Sequence, residues 1–369
     1  MIQKFFSFDF ITFFTIVLLL GFGIVAIGSI FLYGDGGNEV FTRHVTYTVV
    51  GVIAFLFFSL MNYTIFRSYS TYLYFFSIAL LIVTLFFGTT LRGTSGWLDL
   101  GLVSFQPVEI VKIFMIIFLA HFISEKRGEL GELASIFISF ILVSIVSFLI
   151  LLQPDFGSAI VLYGIWFCMI FVSGIRKRYL LSFIIVGVVV SVIAWSLFAP
   201  YQRARIINFL HPELDPQGTG YNVLQSIIAV GNGGMFGQGF GHGSQSQLDF
   251  LPEKHTDFIF ATIAESTGFF GSLILLVLFS ILFSRFYFIA SQSRDAFGYF
   301  LSVGVMAFFL IHVLINVGMN IGVMPVTGIP LPLVSYGGSS LVSFLIGCGL
   351  VMSVYLRREV TMKNYIESY

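Results

Sequence analysis

Charge is what this sequence most lacks. Of its 369 residues only 10% are Asp, Glu, Lys or Arg, against roughly 25% in a water-soluble domain. Too little polar surface remains for water to surround the chain. The charges that are present cancel, 18 basic against 18 acidic, so no net field recommends a nucleic-acid partner. Cysteine is scarce as well. Cys168 and Cys348 have neither metal-ligand spacing nor a disulfide framework around them. The six histidines are scattered without zinc spacing. No Gly-x-Ser-x-Gly elbow marks a serine hydrolase. The glycine-dense run Gly231–Gly243 has no Gly-Lys-Ser/Thr ending and no strand before it, which excludes a phosphate loop. Internal repeats, low-complexity tails and a separate soluble domain are all missing.

Apolar residues fill the space, at 57% of the chain. Uncharged stretches run over 10–34, 45–66, 68–91, 133–154, 156–175 and 179–202. Each is long enough for a hydrocarbon core of about 30 Å, which takes roughly 20 helical residues. The uncharged stretch 297–356 holds two more spans around a Pro/Gly-rich turn, and two charge-bearing spans lie near 107–124 and 258–284. The expectation is an all-α membrane protein with ten transmembrane helices, since a helix satisfies its backbone polar groups within the span. None of these runs has the alternation of a membrane barrel. Residues 1–369 read as one polytopic membrane domain, with a first span that is a retained anchor rather than a removed signal peptide.

Lys and Arg orient the chain. With the N-terminus in the cytoplasm, most of the 18 basic residues fall on the cytoplasmic side, among them Arg67, Arg176, Lys177, Arg178, Arg285, Arg294, Arg357 and Arg358. Both termini are then cytoplasmic. The longest connection, 199–256 between spans seven and eight, faces outward as one large extracytoplasmic loop. Long connections of this kind are usually functional or disordered. This one includes an apolar, helix-like run, 221–230, suited to lying along the membrane surface.

Charges inside spans cost about 2.5–3.5 kcal/mol each at a helix centre, so each needs a reason. Glu109 and Lys112 share a helix face three residues apart, just after Pro107, which suits a first turn. They form either a structural ion pair or the wall of an outward-opening polar cavity. Asp155, in Gln153-Pro154-Asp155-Phe156-Gly157, reads as a helix N-cap in a short turn at the outer side. Glu253, Lys254, His255 and Asp257 make a dense polar cluster at the mouth of the eighth span, with Asp257 either capping that helix or presenting its carboxylate outward. Glu265 follows two turns further on.

These motifs resemble the SEDS family (shape, elongation, division and sporulation) over nearly the whole chain. Four blocks carry the resemblance: Gly96-Trp97 with 106–112; 153–158; 220–271; and 316–340, ending Pro330-Leu331-Pro332-Leu333-Val334-Ser335-Tyr336-Gly337-Gly338-Ser339-Ser340. Gln225-Ser226-Ile227-Ile228-Ala229 and Gly243-Ser244-Gln245-Ser246-Gln247 are similar to the elongation branch, the division and sporulation branches being the alternatives. The chain departs from the family at Ser266, where a second acidic residue usually follows Ala264-Glu265. The resemblance implies a peptidoglycan glycosyltransferase of the bacterial inner membrane that polymerises lipid II and its lipid-linked nascent glycan. It implies Asp257 as the essential outward-facing residue, with Glu109, Lys112 and Asp155 lining or supporting one cavity. It also implies a class B penicillin-binding protein with transpeptidase activity as partner, within the elongation machinery, and a divalent cation, Mg or Mn.

The residues suit that chemistry. A sugar hydroxyl is a weak nucleophile, and a positioned base contributes typically about 10²–10⁴-fold. Asp257 is the candidate base, at a boundary where partial desolvation makes a carboxylate more basic. A departing pyrophosphate needs positive charge rather than a second carboxylic acid, unlike the alkoxide of glycoside hydrolysis. Arg203, Arg205, Lys112 and Lys254 are the cations available, and His255 stands beside them as a further substrate-binding candidate. Direct displacement of an α-linked pyrophosphate inverts the centre. The rival reading is a lipid II flippase or another precursor transporter, whose site belongs near the midplane on discontinuous helices; here the polar residues cluster at the outer side, and no broken helix pair is evident mid-membrane.

Overall fold

The computed structural model describes residues 8–31, 37–91, 94–99, 101, 104–125, 133–174, 179, 200–215, 218–248 and 250–358. Its long helices are α1 (Phe10–Phe31), α2 (Gly37–Leu60), α3 (Tyr63–Phe87), α4 (Pro107–Glu125), α5 (Leu133–Leu151) and α6 (Phe156–Val172). Short helices α7 (Pro200–Leu210), α8 (Thr219–Asn232) and α9 (Ser244–Gln247) fill the long connection, followed by α10 (Ile259–Ser291), α11 (Ala296–Asn320) and α12 (Gly338–Leu356). Eight of these are long and apolar enough to cross a membrane, and α6 is a shorter apolar helix. The span expected over 179–202 lies almost wholly outside the described residues; where it was expected to end, α7 begins.

Two expectations need correction. The chain is not purely helical, because β1 (Thr89–Leu91), β2 (Thr94–Asp99) and β3 (Ser104–Phe105) form a small antiparallel sheet in the order β1-β2-β3. Thr89 pairs with Trp97 and Leu98 with Phe105. The clustered threonines and Trp97 favour a pleated surface over a helix. The break between the second and third spans also comes earlier than the charge pattern suggested, at Met61–Asn62, ahead of Arg67. Asn62 accepts a hydrogen bond from Thr64 N at 3.2 Å and so caps α3. The carbonyls that end α2 are met by α12: Ser353 Oγ donates to Met61 O at 2.6 Å, and Arg357 donates to Leu60 O at 2.6 Å. Without such partners a helix end leaves its last carbonyls unsatisfied.

At the opposite end of the bundle, the loop end, the chain breaks a long helix. Inside α10, Gly268 leaves helical geometry (φ 67°, ψ −162°). Residues 269–291 alone measure about 35 Å at 1.5 Å per residue, enough to cross the bilayer. The segment 259–267 is therefore an addition at the loop end. Backbone groups freed by the break are taken up by the glycine-dense run. Phe269 N and Phe270 N donate to Gly234 O and Met235 O at 2.9 and 3.2 Å; Gln238 N and Gly239 N donate to Glu265 O and Ser266 O at 2.9 and 3.0 Å. A Cβ on Gly268 would stand 2.4 Å from Gly237 N, so the two strands of backbone meet only because both residues lack one.

Candidate functional site

The loop ends of these elements surround a cavity of about 340 Å³. The sheet contributes Thr94 and Trp97, the start of α4 contributes Gln106 and Glu109, and the α5–α6 turn contributes Pro154, Asp155 and Ser158. Arg205 enters from α7 and Asn222 from α8. The segment before α10 supplies Glu253, Thr256, Asp257 and Phe258; the α11–α12 connection closes the ring through 326–330, Tyr336 and Gly337.

Asp257 owes its position to α11. Asn316 Nδ2 donates to the Asp257 carbonyl at 2.9 Å and to Ile329 O at 2.8 Å. Asn320 Nδ2 donates to the same Asp257 carbonyl at 3.0 Å, while its Oδ1 accepts from Ala261 N at 2.9 Å. The backbone of residue 257 is thus held by two buried amides, which leaves its carboxylate to face the cavity. The capping role for Asp257 does not hold: Phe258 occupies the N-cap of α10, with no side-chain cap bond. Positive-φ Gly328 lies opposite, with the Cβ position it leaves empty 3.5 Å from Asp257 Oδ2.

Asp155 serves both of its readings. Its Oδ1 accepts from Ser158 N at 2.9 Å and caps α6. Its Oδ2 lies 3.5 Å from Gln106 Nε2 in the cavity wall. Glu109 lines the cavity, whereas Lys112 is sealed beneath it: fully buried, its Nζ donates to Glu109 Oε1 at 2.7 Å. Lys112 therefore supports the wall instead of meeting a leaving group. Of the cations considered for that role, Arg205 lines the cavity and donates to Thr327 O at 3.4 Å. Arg203 is not part of the lining. Lys254 Nζ is turned away to Ser246 O. His255 is not among the lining residues; its ring packs edge-on against Tyr336, with ring centroids 5.5 Å apart.

Glu265 is a structural group. Fully buried, it accepts from Gln245 N at 2.8 Å and Ser246 N at 3.0 Å, pinning α9 to α10. Charge-assisted bonds from backbone N–H groups are how a buried carboxylate is sustained.

Several residues of the cavity and of its support were missed by sequence reasoning. Glu253 belongs to the polar cluster already noticed but was not chosen. It adopts a positive φ of 49°, and Thr256 Oγ1 donates to its Oε2 at 2.8 Å. Gln106, Tyr336, Asn316 and Asn320 carried usable signals, the last two as amides four apart on one face of an apolar span. Among the described residues no three His, Cys, Asp or Glu side chains converge as a metal site. The donor set does not fit a resident metal held by protein groups alone.

Bilayer-length helices gathered around an acidic, arginine-bearing cavity at one end define a polytopic membrane protein with a polar site at the mouth of its bundle. The chain belongs to the FtsW/RodA/SpoVE family, described as "Cell cycle protein", whose model matches residues 7–359. It is 36% identical to "Peptidoglycan glycosyltransferase MrdB" of Escherichia coli (strain K12) over 351 residues, 94% of this chain and 95% of that one. It is 38% identical to "Stage V sporulation protein E" of Bacillus subtilis (strain 168) over 315 residues, 85% of this chain and 86% of that one. Among solved structures it is similar to a chain from work on "Structural coordination of polymerization and crosslinking by a peptidoglycan synthase complex", with a TM-score of 0.82, 28% identity and coverage of 94% and 97%. Its similarity to the rod shape determining protein RodA of Thermus thermophilus has a TM-score of 0.70 and 27% identity, over 95% of this chain and 97% of that one.

Proposed function

We propose that this chain is a peptidoglycan glycosyltransferase that polymerises lipid II during cell elongation, with Asp257 as general base. The observation that carries the reading is the meeting of Asp257, Glu109, Asp155 and Arg205 in one cavity at the loop end. The curated relative MrdB bears the same activity in its name. The chain is one polytopic membrane domain. Its nine described apolar helices, taken with the span expected from the sequence over 179–202, which lies almost wholly outside the described residues, return the C-terminus to the side of the N-terminus, and the Lys/Arg distribution makes that side cytoplasmic in a bacterial inner membrane. The large connection then faces outward, where the head group of a lipid-linked sugar stands.

In the reaction an acceptor hydroxyl oxygen attacks the anomeric carbon of the polyprenyl-pyrophosphate sugar. The bond to the pyrophosphate oxygen breaks, the pyrophosphate leaves with the electron pair, and Asp257 takes the hydroxyl proton. An α-linked donor gives a β linkage. Arg205, the cation in the described cavity wall, meets the charge that builds on the leaving group. A divalent cation, Mg or Mn, enters this proposal as one carried by the substrate's phosphates, the usual way Mg²⁺ is held beside one or two carboxylates; no step is routed through it. The partner is a class B penicillin-binding protein, a reading supported by the similarity to a chain from a synthase complex that couples polymerization to crosslinking.

Purified chain with lipid II and that partner should make glycan polymer, and Asp257→Asn should abolish it while the protein still inserts. Polymer from Asp257→Asn would remove the carboxylate from the mechanism. Lipid II crossing vesicle leaflets without polymer would favour a flippase.

A further inference from the structure

One buried polar group has no part in that reaction. His312 lies inside α11, fully buried, four residues before Asn316 on the face that carries Asn316 and Asn320. We propose that His312 is a positioning residue that holds Lys112, and through Lys112 fixes the Glu109 carboxylate in the cavity wall.

Proton accounting makes the case. His312 Nδ1 is 2.8 Å from Phe308 O. A carbonyl has no proton, so the ring donates there. His312 Nε2 is 3.4 Å from Lys112 Nζ, and an ammonium group can only donate, so the ring accepts there. One neutral tautomer satisfies both contacts at once, and no other does. The ring is clamped edge-on to Phe308 and Phe344, with centroids at 4.6 and 4.9 Å.

Lys112 therefore has three neighbours suited to a cation: the Glu109 carboxylate at 2.7 Å, the imidazole lone pair at 3.4 Å and the Phe308 ring, whose centroid is 5.5 Å away. A buried charge is tolerated only when it is paired and hydrogen-bonded. Replacing the imidazole with a ring of similar volume and no lone pair removes one of these supports. Glu109 Oε2 is 3.5 Å from Ser343 Oγ on α12, and its Oε1 then rests on a Lys112 that is held less firmly. The carboxylate should then shift from its place in the cavity wall. His312 is not among the residues that line the cavity; its link to Glu109 runs through Lys112.

The contact stands on geometry alone; its effect on turnover rests on the glycosyltransferase reading. The experiment pairs His312→Phe, which keeps the ring's bulk, with His312→Gln, whose amide oxygen restores an acceptor near the Nε2 position. His312→Phe should lower polymer synthesis by about ten- to a hundredfold, the scale of a misplaced positioning group, and His312→Gln should recover most of it. Wild-type turnover in His312→Phe overturns the proposal. So does His312→Gln failing as badly as His312→Phe while both keep the wild-type melting temperature. A second measurement needs no activity. His312→Phe should lower the melting temperature in the wild-type background and leave it unchanged in Lys112→Met; equal shifts in both backgrounds would show that the two side chains do not act together. If the wild-type chain makes no polymer, the glycosyltransferase reading fails, and the melting-temperature cycle decides the contact separately.

Discussion

The break in α10 is held open by backbone, so a single methyl group in the glycine-dense run should disturb it. Gly237 has φ 79°, and a Cβ there would stand 2.2 Å from Ser266 O and 2.5 Å from Thr267 N. Gly234 also has a positive φ, 51°, but nothing lies within 4 Å of its Cβ position. Gly234→Ala therefore carries only the left-handed backbone cost, about 1–2 kcal/mol. Gly237→Ala carries that cost and a clash that neither backbone can escape in place. Relieving it takes a shift of about 1 Å, since non-bonded heavy atoms sit comfortably near 3.5 Å. Such a shift stretches the bonds from Gln238 N and Gly239 N, now 2.9 and 3.0 Å long. Losing both adds about 1–3 kcal/mol at 0.5–1.5 each. The consequence reaches the site because the run leads to α9, where Ser246 O receives Lys254 Nζ, and Lys254 O accepts from Thr262 Oγ1 at 3.1 Å. Asp257 belongs to that same turn. Thermal unfolding in detergent, read beside polymer synthesis, tests this: Gly237→Ala should fall well below Gly234→Ala in both. Equal melting temperatures for the two variants would refute the stitched-break account.

Two further outcomes follow from the cavity. Asn320→Ala removes a donor to Asp257 O and the acceptor for Ala261 N, leaving a buried N–H unpaired at about 1–3 kcal/mol; it should lower both melting temperature and turnover, and full activity would show that the carbonyl does not need this tether. Arg205→Ala should depress polymer synthesis more strongly than Arg203→Ala, since Arg205 alone of the pair lines the cavity; equal losses in a side-by-side assay would dissolve the leaving-group role.

The spans were legible because runs such as 10–34 and 133–154 contain no charged residue, and a long apolar run of that kind satisfies its backbone in a bilayer as a helix. The site was legible wherever a charge broke such a run, as at Glu109, Asp155 and Asp257. Direction was not. Lys112 and Lys254 look alike in sequence, yet one is sealed by α11 and the other is turned toward α9, and only tertiary packing decides which cation meets a ligand. His312, Asn316 and Asn320 recur every fourth residue through an apolar helix, a signal that charge-based reading passes over because none of them need be ionised. The Gly268 break was hidden for another reason. Its hydrogen-bond partners lie some thirty residues earlier in the chain, so no local pattern announces it. The small sheet escaped for want of length, its longest strand being six residues.

Asp155 allows its two roles to be separated by one atom. Oδ1 caps α6 through Ser158 N at 2.9 Å, and Oδ2 faces the cavity near Gln106 Nε2 at 3.5 Å. Asparagine is as good an N-cap as aspartate, whereas alanine costs about 1 kcal/mol. Asp155→Asn should therefore keep the melting temperature near wild type, apart from a few tenths of a kcal/mol of lost charge–dipole attraction, the low end of about 0.3–1 kcal/mol. Its amide nitrogen would replace Oδ2 and face the Gln106 amide donor to donor, so that Gln106 must flip, and the cavity would lose one negative charge. Polymer synthesis should fall in Asp155→Asn nearly as far as in Asp155→Ala, while only Asp155→Ala loses stability. The reverse pattern, full turnover in Asp155→Asn and a loss confined to Asp155→Ala, would make Asp155 a helix cap and nothing more, and would reduce the acidic wall of the site to Glu109, Glu253 and Asp257.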